Sequence, residues 1–199
     1  MHRTHLFYAD GVYFAGTYSD ADKSLIDVTG DKDHERRAVL YCGEWTGKGI
    51  LPRDLCAKAS EHGEQAALFA WAAACHNVGI VGADRLMQMY AIPNGGKRDP
   101  KTAAMLKAEG VRTGVPDVCL PVAVFADAGG PHYQYFSESF PFAGVFCGLY
   151  IEMKKVKGGV LSPEQKERMD GLRNGYAVAR ANGWQQARDL VIAYLGLME

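Results

Sequence analysis

In the stretch "GLYIEMKK", residues 148–155, Leu149, Tyr150 and Ile151 read as a buried strand that Glu152 and Lys154 then continue. Side chains alternate along a strand, so Glu152 and Lys154 fall on the same face. Burying a charge is costly unless it is paired or bound to a metal. Earlier in the chain, "VPDVCLPVAVF" reads as a second strand with Asp117 near its start. Neighbouring strands lie about 4.8 Å apart, so carboxylates on two of them can share one ion. Left unneutralised, the pair repels and one member holds a proton. A hard divalent cation, Mg²⁺ or Mn²⁺, removes that conflict and favours oxygen ligands. A lysine beside such an ion can position a water or stabilise developing negative charge. The plainer alternatives are a turn or cap role for Asp117 and a surface salt bridge between Lys154 and Glu152.

Four further groups are candidates. Gln165 lies in "LSPEQ", where Ser162 is an N-cap, Pro163 takes the first helical position and Gln165 completes a capping box. Met169 and Leu172 follow it at i+4 and i+7, so Gln165 either closes the cap or reaches toward the acidic pair. The segment "SEHGEQAALFAWAAACHNV" reads as a helix, with Leu68, Trp71, Ala72 and Cys75 on one stripe. Carried back a turn or two, that stripe becomes acidic at Glu61, Glu64 and Gln65. Lys155 and Lys157 are solvated or meet phosphates. The turn "IPNGGKR" offers glycine amides beside Lys97 and Arg98, as a phosphate contact or as a plain connection.

The elements that must position these residues follow from the pattern. From about residue 60 the order reads helix, helix, strand, strand, helix, strand, helix, with "YAVARA" as the last strand and "QQARDLVIAYLGL" as the last helix. That order makes a small sheet flanked by helices, an α/β or α+β fold. "KTAAMLKAEG" is a short helix closed by Gly110. Residues 126–146 form a long aromatic loop or hairpin, containing Tyr133, Tyr135, Phe136, Phe140 and Phe142. Residues 1–57 read as a β-rich accessory region, opening with a hairpin about Ala9-Asp10-Gly11. Residues 58–199 form the domain that carries the chemistry.

Composition narrows the class. The 199 residues are 48% hydrophobic and 23% charged, ordinary for a soluble globular chain. Five scattered cysteines without a CxxC pair argue against disulfides and a zinc site, and for a reducing cytoplasm. No apolar run approaches the roughly 20 residues of a membrane helix, and the N-terminus does not read as a signal peptide. No GxxxxGK[ST] motif is present, which excludes a built-in P-loop motor. Net charge is −1, yet residues 94–180 carry 12 Lys+Arg against 9 Asp+Glu, a modest basic bias that suits a phosphate-rich partner.

"GVPDVCLP" with "LYIEMKK" resembles the PD-(D/E)xK signature of restriction-endonuclease-like nucleases. The neighbourhood "IPNGGKR", "LKAEGVRTGVPD", "GLYIEMKKVKGGVLSPEQ" and "LRNGYAVARANGWQQARDLVIAYL" resembles the VRR-NUC family in the same order, over about residues 60–197. Such virus-type replication-repair nucleases occur as stand-alone phage proteins. The resemblance implies a restriction-endonuclease-like core and a Mg²⁺- or Mn²⁺-dependent deoxyribonuclease. Asp117 and Glu152 would be metal ligands, the Met153 carbonyl would face the metal, and Lys154 would stand beside the attacking water. Gln165 would be the glutamine after the turn. Glu61, four residues before Gln65, would be the helix-borne acid, with Glu64 as its competitor. It further implies branched or four-way-junction DNA as partner and a homodimer. An inactive nucleic-acid-binding module, a flap or single-strand nuclease and a small-phosphoester hydrolase are the rival readings.

Overall fold

The computed structural model describes residues 4–9, 12–17, 50–58, 60–93, 99–126, 136 and 144–197. At the N-terminus, β1 (Thr4–Ala9) and β2 (Val12–Thr17) pair antiparallel, with Ala9 opposite Val12. The turns and strand expected between residues 18 and 49, the "NGGKR" turn and most of the aromatic insertion lie outside the described residues. Pro52–Leu55 forms a short helix, α1, that packs on the long helix α2 (Glu61–Asn77). Ser60 caps α2, its hydroxyl accepting from the Gly63 amide. A 3₁₀ segment, Ala83–Gln88, leads into β3 (Tyr90–Ala91), and Asp99 caps α3 (Pro100–Ala108).

The main sheet has four strands in the order β3-β4-β7-β8, where β4 is Val118–Leu120, β7 is Leu149–Lys154 and β8 is Ala177–Asn182. β4 runs antiparallel to β3 and β7, and β7 runs parallel to β8. α4 (Pro163–Leu172) makes the crossover between the parallel pair, and α5 (Trp184–Leu195) follows β8. The fold is therefore mixed α/β, a small mixed sheet flanked by helices, as expected. Leu149, Ile151 and Met153 face a core shared with Leu68 and Trp71 of α2 and Val191 and Tyr194 of α5. Phe136 and Phe146 close that core with edge-on contacts to each other, and the Tyr194 hydroxyl donates to the Val122 carbonyl at 2.6 Å.

One expected strand is corrected. "VPDVCLPVAVF" does not run as a single strand: it breaks after Leu120 and resumes as β5 (Val124–Ala126), which leaves the main sheet to pair with β6 (Gly144–Phe146). Pro121 sits at the break, where it has no amide to donate to a ladder. β5 and β6 form the stem of the expected hairpin. β3 and the 3₁₀ segment were not foreseen; two residues of strand are too short to show alternation.

Candidate active site

β4 and β7 bring the two carboxylates together. Val118 pairs with Ile151 and Cys119 with Tyr150, so the antiparallel register sets Asp117 opposite Glu152. The contact is anchored through the backbone, with the Met153 amide donating to Asp117 Oδ2 at 2.9 Å. Glu152 is 1% exposed, a carboxylate at the floor of the site. Gln165 Nε2 donates to Glu152 Oε1, while the same side chain's carbonyl accepts from the Ser162 amide at 2.9 Å. The two alternatives for Gln165 are thus one arrangement: the capping box holds the amide in the orientation that lets its NH₂ reach the carboxylate.

Lys154 is 5% exposed, and its ammonium donates to Glu152 Oε1 at 2.5 Å and to the Met153 carbonyl at 3.1 Å. This is a buried pair rather than a surface salt bridge. Gly159 makes room for it: a Cβ there would lie 2.5 Å from Lys154 Cβ, so only glycine lets the "VKGG" turn close over the lysine stem. Burial raises the Glu152 carboxyl to about 7, the Lys154 hydrogen bond pulling it down and the Asp117 charge adding to the rise. Asp117 is also raised, by burial first, against the Met153 amide and the Lys154 charge. Two carboxyl groups that both resist ionisation in contact form a site that a cation stabilises.

The acids of α2 take different places. Glu61 Oε1 lies 3.9 Å from Lys154 Nζ, and its side chain is half exposed. Glu64 is buried and accepts the Trp184 amide at 2.9 Å, capping α5. Between them, the Gly183 amide donates to the Lys154 carbonyl at 2.8 Å. Gly183 has φ 89°, which a side chain disfavours, and a Cβ there would meet Val156 Cγ2 at 2.8 Å. Gln65 does not join the carboxylates; it lines a surface pocket with His62, Phe69 and Ala91.

The donor set fits a hard divalent cation. Glu152 Oε2 is buried without a hydrogen-bond partner, and the other oxygens at hand belong to Asp117 and the Met153 carbonyl. Among the described residues no group of three or more His, Cys, Asp or Glu gathers around one point. The protein thus offers two carboxylates and a carbonyl, and Mg²⁺ characteristically keeps several waters beside one or two carboxylates.

Among solved structures, the chain is similar to one described as "VRR_NUC domain protein". The TM-score is 0.49 at 23% sequence identity, covering 76% of this chain and 93% of that one. No protein-family model and no curated protein matches the chain.

Sequence reasoning passed over Arg180 and the α5 cap. Arg180 pairs with Glu152 across β7 and β8, so it stands on the carboxylate face, exposed, its guanidinium making no hydrogen bond or ion pair with another described residue. The alternation Val178, Arg180, Asn182 against Ala177, Ala179, Ala181 was visible in "YAVARAN", but which strand it would lie beside was not. The cap pairs residues 120 positions apart, which no local pattern encodes.

Proposed function

We propose that the chain is a metal-dependent deoxyribonuclease that hydrolyses phosphodiesters in branched DNA, four-way junctions included, and that it works as a homodimer in a cytoplasm, the host's if it is phage-encoded. One observation carries this reading: a buried glutamate, with one carboxylate oxygen unpaired, faces an aspartate on the paired strand and a buried lysine on its own. The motif resemblance in "VPDV" and "YIEMKK" supports it. No helix among the described residues is long and apolar enough to cross a membrane.

Asp117 and Glu152 would hold Mg²⁺ or Mn²⁺, with the Met153 carbonyl beside them. When bound, the ion supplies a Lewis acid for the phosphoryl oxygens. The side chains do the rest. Gln165 holds the Glu152 carboxylate in one orientation. Lys154, fixed by Glu152 and the Met153 carbonyl, orients a water for in-line attack at phosphorus. Glu61 stands at the exposed lip of the site, near Lys154, where it would act as the helix-borne acid. Arg180 takes a phosphate oxygen of the same strand, as a cation on the carboxylate face can without paying for a broken partner.

The test is a substrate panel: plasmid, linear duplex, flap and four-way-junction DNA, each with Mg²⁺, Mn²⁺ or EDTA. The proposal expects cutting with either ion and none in EDTA, fastest on a branched substrate. Binding without cutting makes the chain an inactive DNA-binding module. Hydrolysis of small phosphoesters with no action on DNA makes it a different hydrolase.

A further inference from the structure

None of the residues of α3 (Pro100–Ala108) is buried, whereas every other helix among the described residues buries at least one. A helix this short is marginal in water and normally draws its stability from packing. α3 is held at its ends instead. Asp99 accepts the Thr102 amide at 3.0 Å, and Pro100 takes the first helical position. At the other end the Val111 amide donates to the Leu106 carbonyl at 2.9 Å, and Arg112 donates to the Lys107 carbonyl at 3.3 Å. The excursion that carries α3 begins and ends at the candidate active site. The chain leaves β3 at Ile92, whose amide donates to the Asp117 carbonyl at 2.7 Å, and it returns at Asp117. On the way back it passes so close to the first turn of α4 that a Cβ at Gly114 would lie 2.6 Å from the Glu164 carbonyl oxygen. That turn carries Gln165, which holds Glu152.

The side of α3 turned to solvent has a definite pattern. At about 100° per residue, Ala104 sits midway between Lys101 and Lys107 around the helix, about 60° from each. Ala103, Met105 and Ala108 complete this exposed side, and the half-buried Thr102 and Leu106 mark the opposite one. A low apolar ridge thus runs between two cations. Residues 97–112 carry five Lys+Arg against two Asp+Glu, which accounts for the whole basic excess of residues 94–180. The Asp99 carboxylate is engaged in the helix cap. Such a surface fits a polyanion. A second copy of α3 laid against the first would set lysine against lysine, which opposes association. In B-form DNA the major groove is about 12 Å wide and admits one α-helix, with a phosphate backbone on either wall.

We infer that α3 docks in a groove of the duplex that flanks the scissile phosphate. The Ala104 ridge faces the floor of the groove, and Lys101 and Lys107 reach the phosphates of its two walls. This rests on the nuclease reading above and assigns the element that grips the duplex arm.

The experiment uses the full chain, a Lys101→Ala/Lys107→Ala double variant, and Ala104→Trp, which adds bulk at the crest of the ridge without changing charge. All three substitutions are at exposed positions, and an unfolding transition confirms each fold. Binding to a labelled duplex is followed by anisotropy in Ca²⁺ over a salt series, and cleavage of a branched substrate with duplex arms is followed in Mn²⁺. The double variant is expected to reduce the slope of log K against log salt by about two, as the loss of two phosphate contacts does. It raises KM and leaves kcat unchanged, because the lost binding is uniform between ground and transition state. Ala104→Trp is expected to raise Kd about tenfold with the lysines still in place, as displacement of the helix from the groove does. An unchanged slope in the double variant, or an unchanged Kd in Ala104→Trp, overturns the docking of α3. So does Ala104→Trp lowering the mass of the protein in light scattering, since the ridge would then meet a second copy. If both variants lose binding as expected but the native chain cuts nothing, α3 docks on duplex and the nuclease reading fails. If the native chain cuts and neither variant differs from it, the nuclease reading stands and the docking of α3 fails.

Discussion

Glu152 has to be neutralised to stay where it is. With burial holding its carboxyl near 7, well above the ordinary value of 4.5, the metal-free protein keeps a proton there in mildly acidic solution. A carboxyl raised in the folded state stabilises the fold below its unfolded pKa, and that stability is lost as pH rises toward 7. Urea unfolding without metal should therefore show stability falling between about pH 4.5 and 7. A cation must displace that proton, so Mn²⁺ binding should weaken below pH 7, by up to about tenfold per pH unit. Calorimetry across pH 5.5–8 checks the sign, and affinity that is flat or rises toward acid contradicts it. At Arg180 the expectation concerns salt. Arg180→Ala should weaken DNA binding and reduce the slope of log K against log salt by about one, as the loss of a single phosphate contact does. An unchanged slope makes Arg180 a solvated surface residue.

The helix α2 carries two acids three residues apart with opposite fates, and they should separate experimentally. Glu64→Ala leaves the Trp184 amide without its acceptor, which should cost about 1–3 kcal/mol of stability in a urea titration. Glu64→Gln keeps a carbonyl acceptor and should recover most of it. Glu61→Ala should leave stability unchanged and lower activity. The reverse pattern would exchange the two roles. This is also where the sequence was least legible: Glu61 and Glu64 lie on nearly the same helix face, and only the docking of α5 decides which is buried. By contrast, β7, the Ser162–Gln165 capping box and the β1–β2 pairing could be read directly, because alternation, capping and turn chemistry are local. The partners of β7 could not. Asp117 belongs beside Glu152 because of strand register, and the motif spacing only hinted at it. The break at Pro121 had a local signal, a proline inside an apolar run, that was outweighed by the hydrophobicity of "VAVF".

At the scale of the whole molecule, symmetric cutting of a junction needs two sites about a two-fold axis, so the branched-DNA reading predicts a dimer. Light scattering at micromolar concentration should give a mass near twice 21.7 kDa. Phe125 and Val145 are exposed and lie opposite each other on the β5–β6 stem, so Phe125→Asp tests whether that stem carries the contact: a mass that falls to 21.7 kDa supports it and an unchanged mass excludes it. A monomer that still cuts branched DNA would move the substrate from junctions to flaps, with the site unchanged. The central claim is the paired-carboxylate site itself, and one measurement addresses it most directly: Mn²⁺-dependent cleavage of flap DNA by the native chain, Asp117→Asn, Glu152→Gln and Lys154→Ala, each shown folded by its unfolding transition. The site predicts that both carboxylate variants lose at least about 10²-fold in rate and that Lys154→Ala loses a comparable factor. Folded Asp117→Asn and Glu152→Gln proteins that cut at the native rate would contradict it.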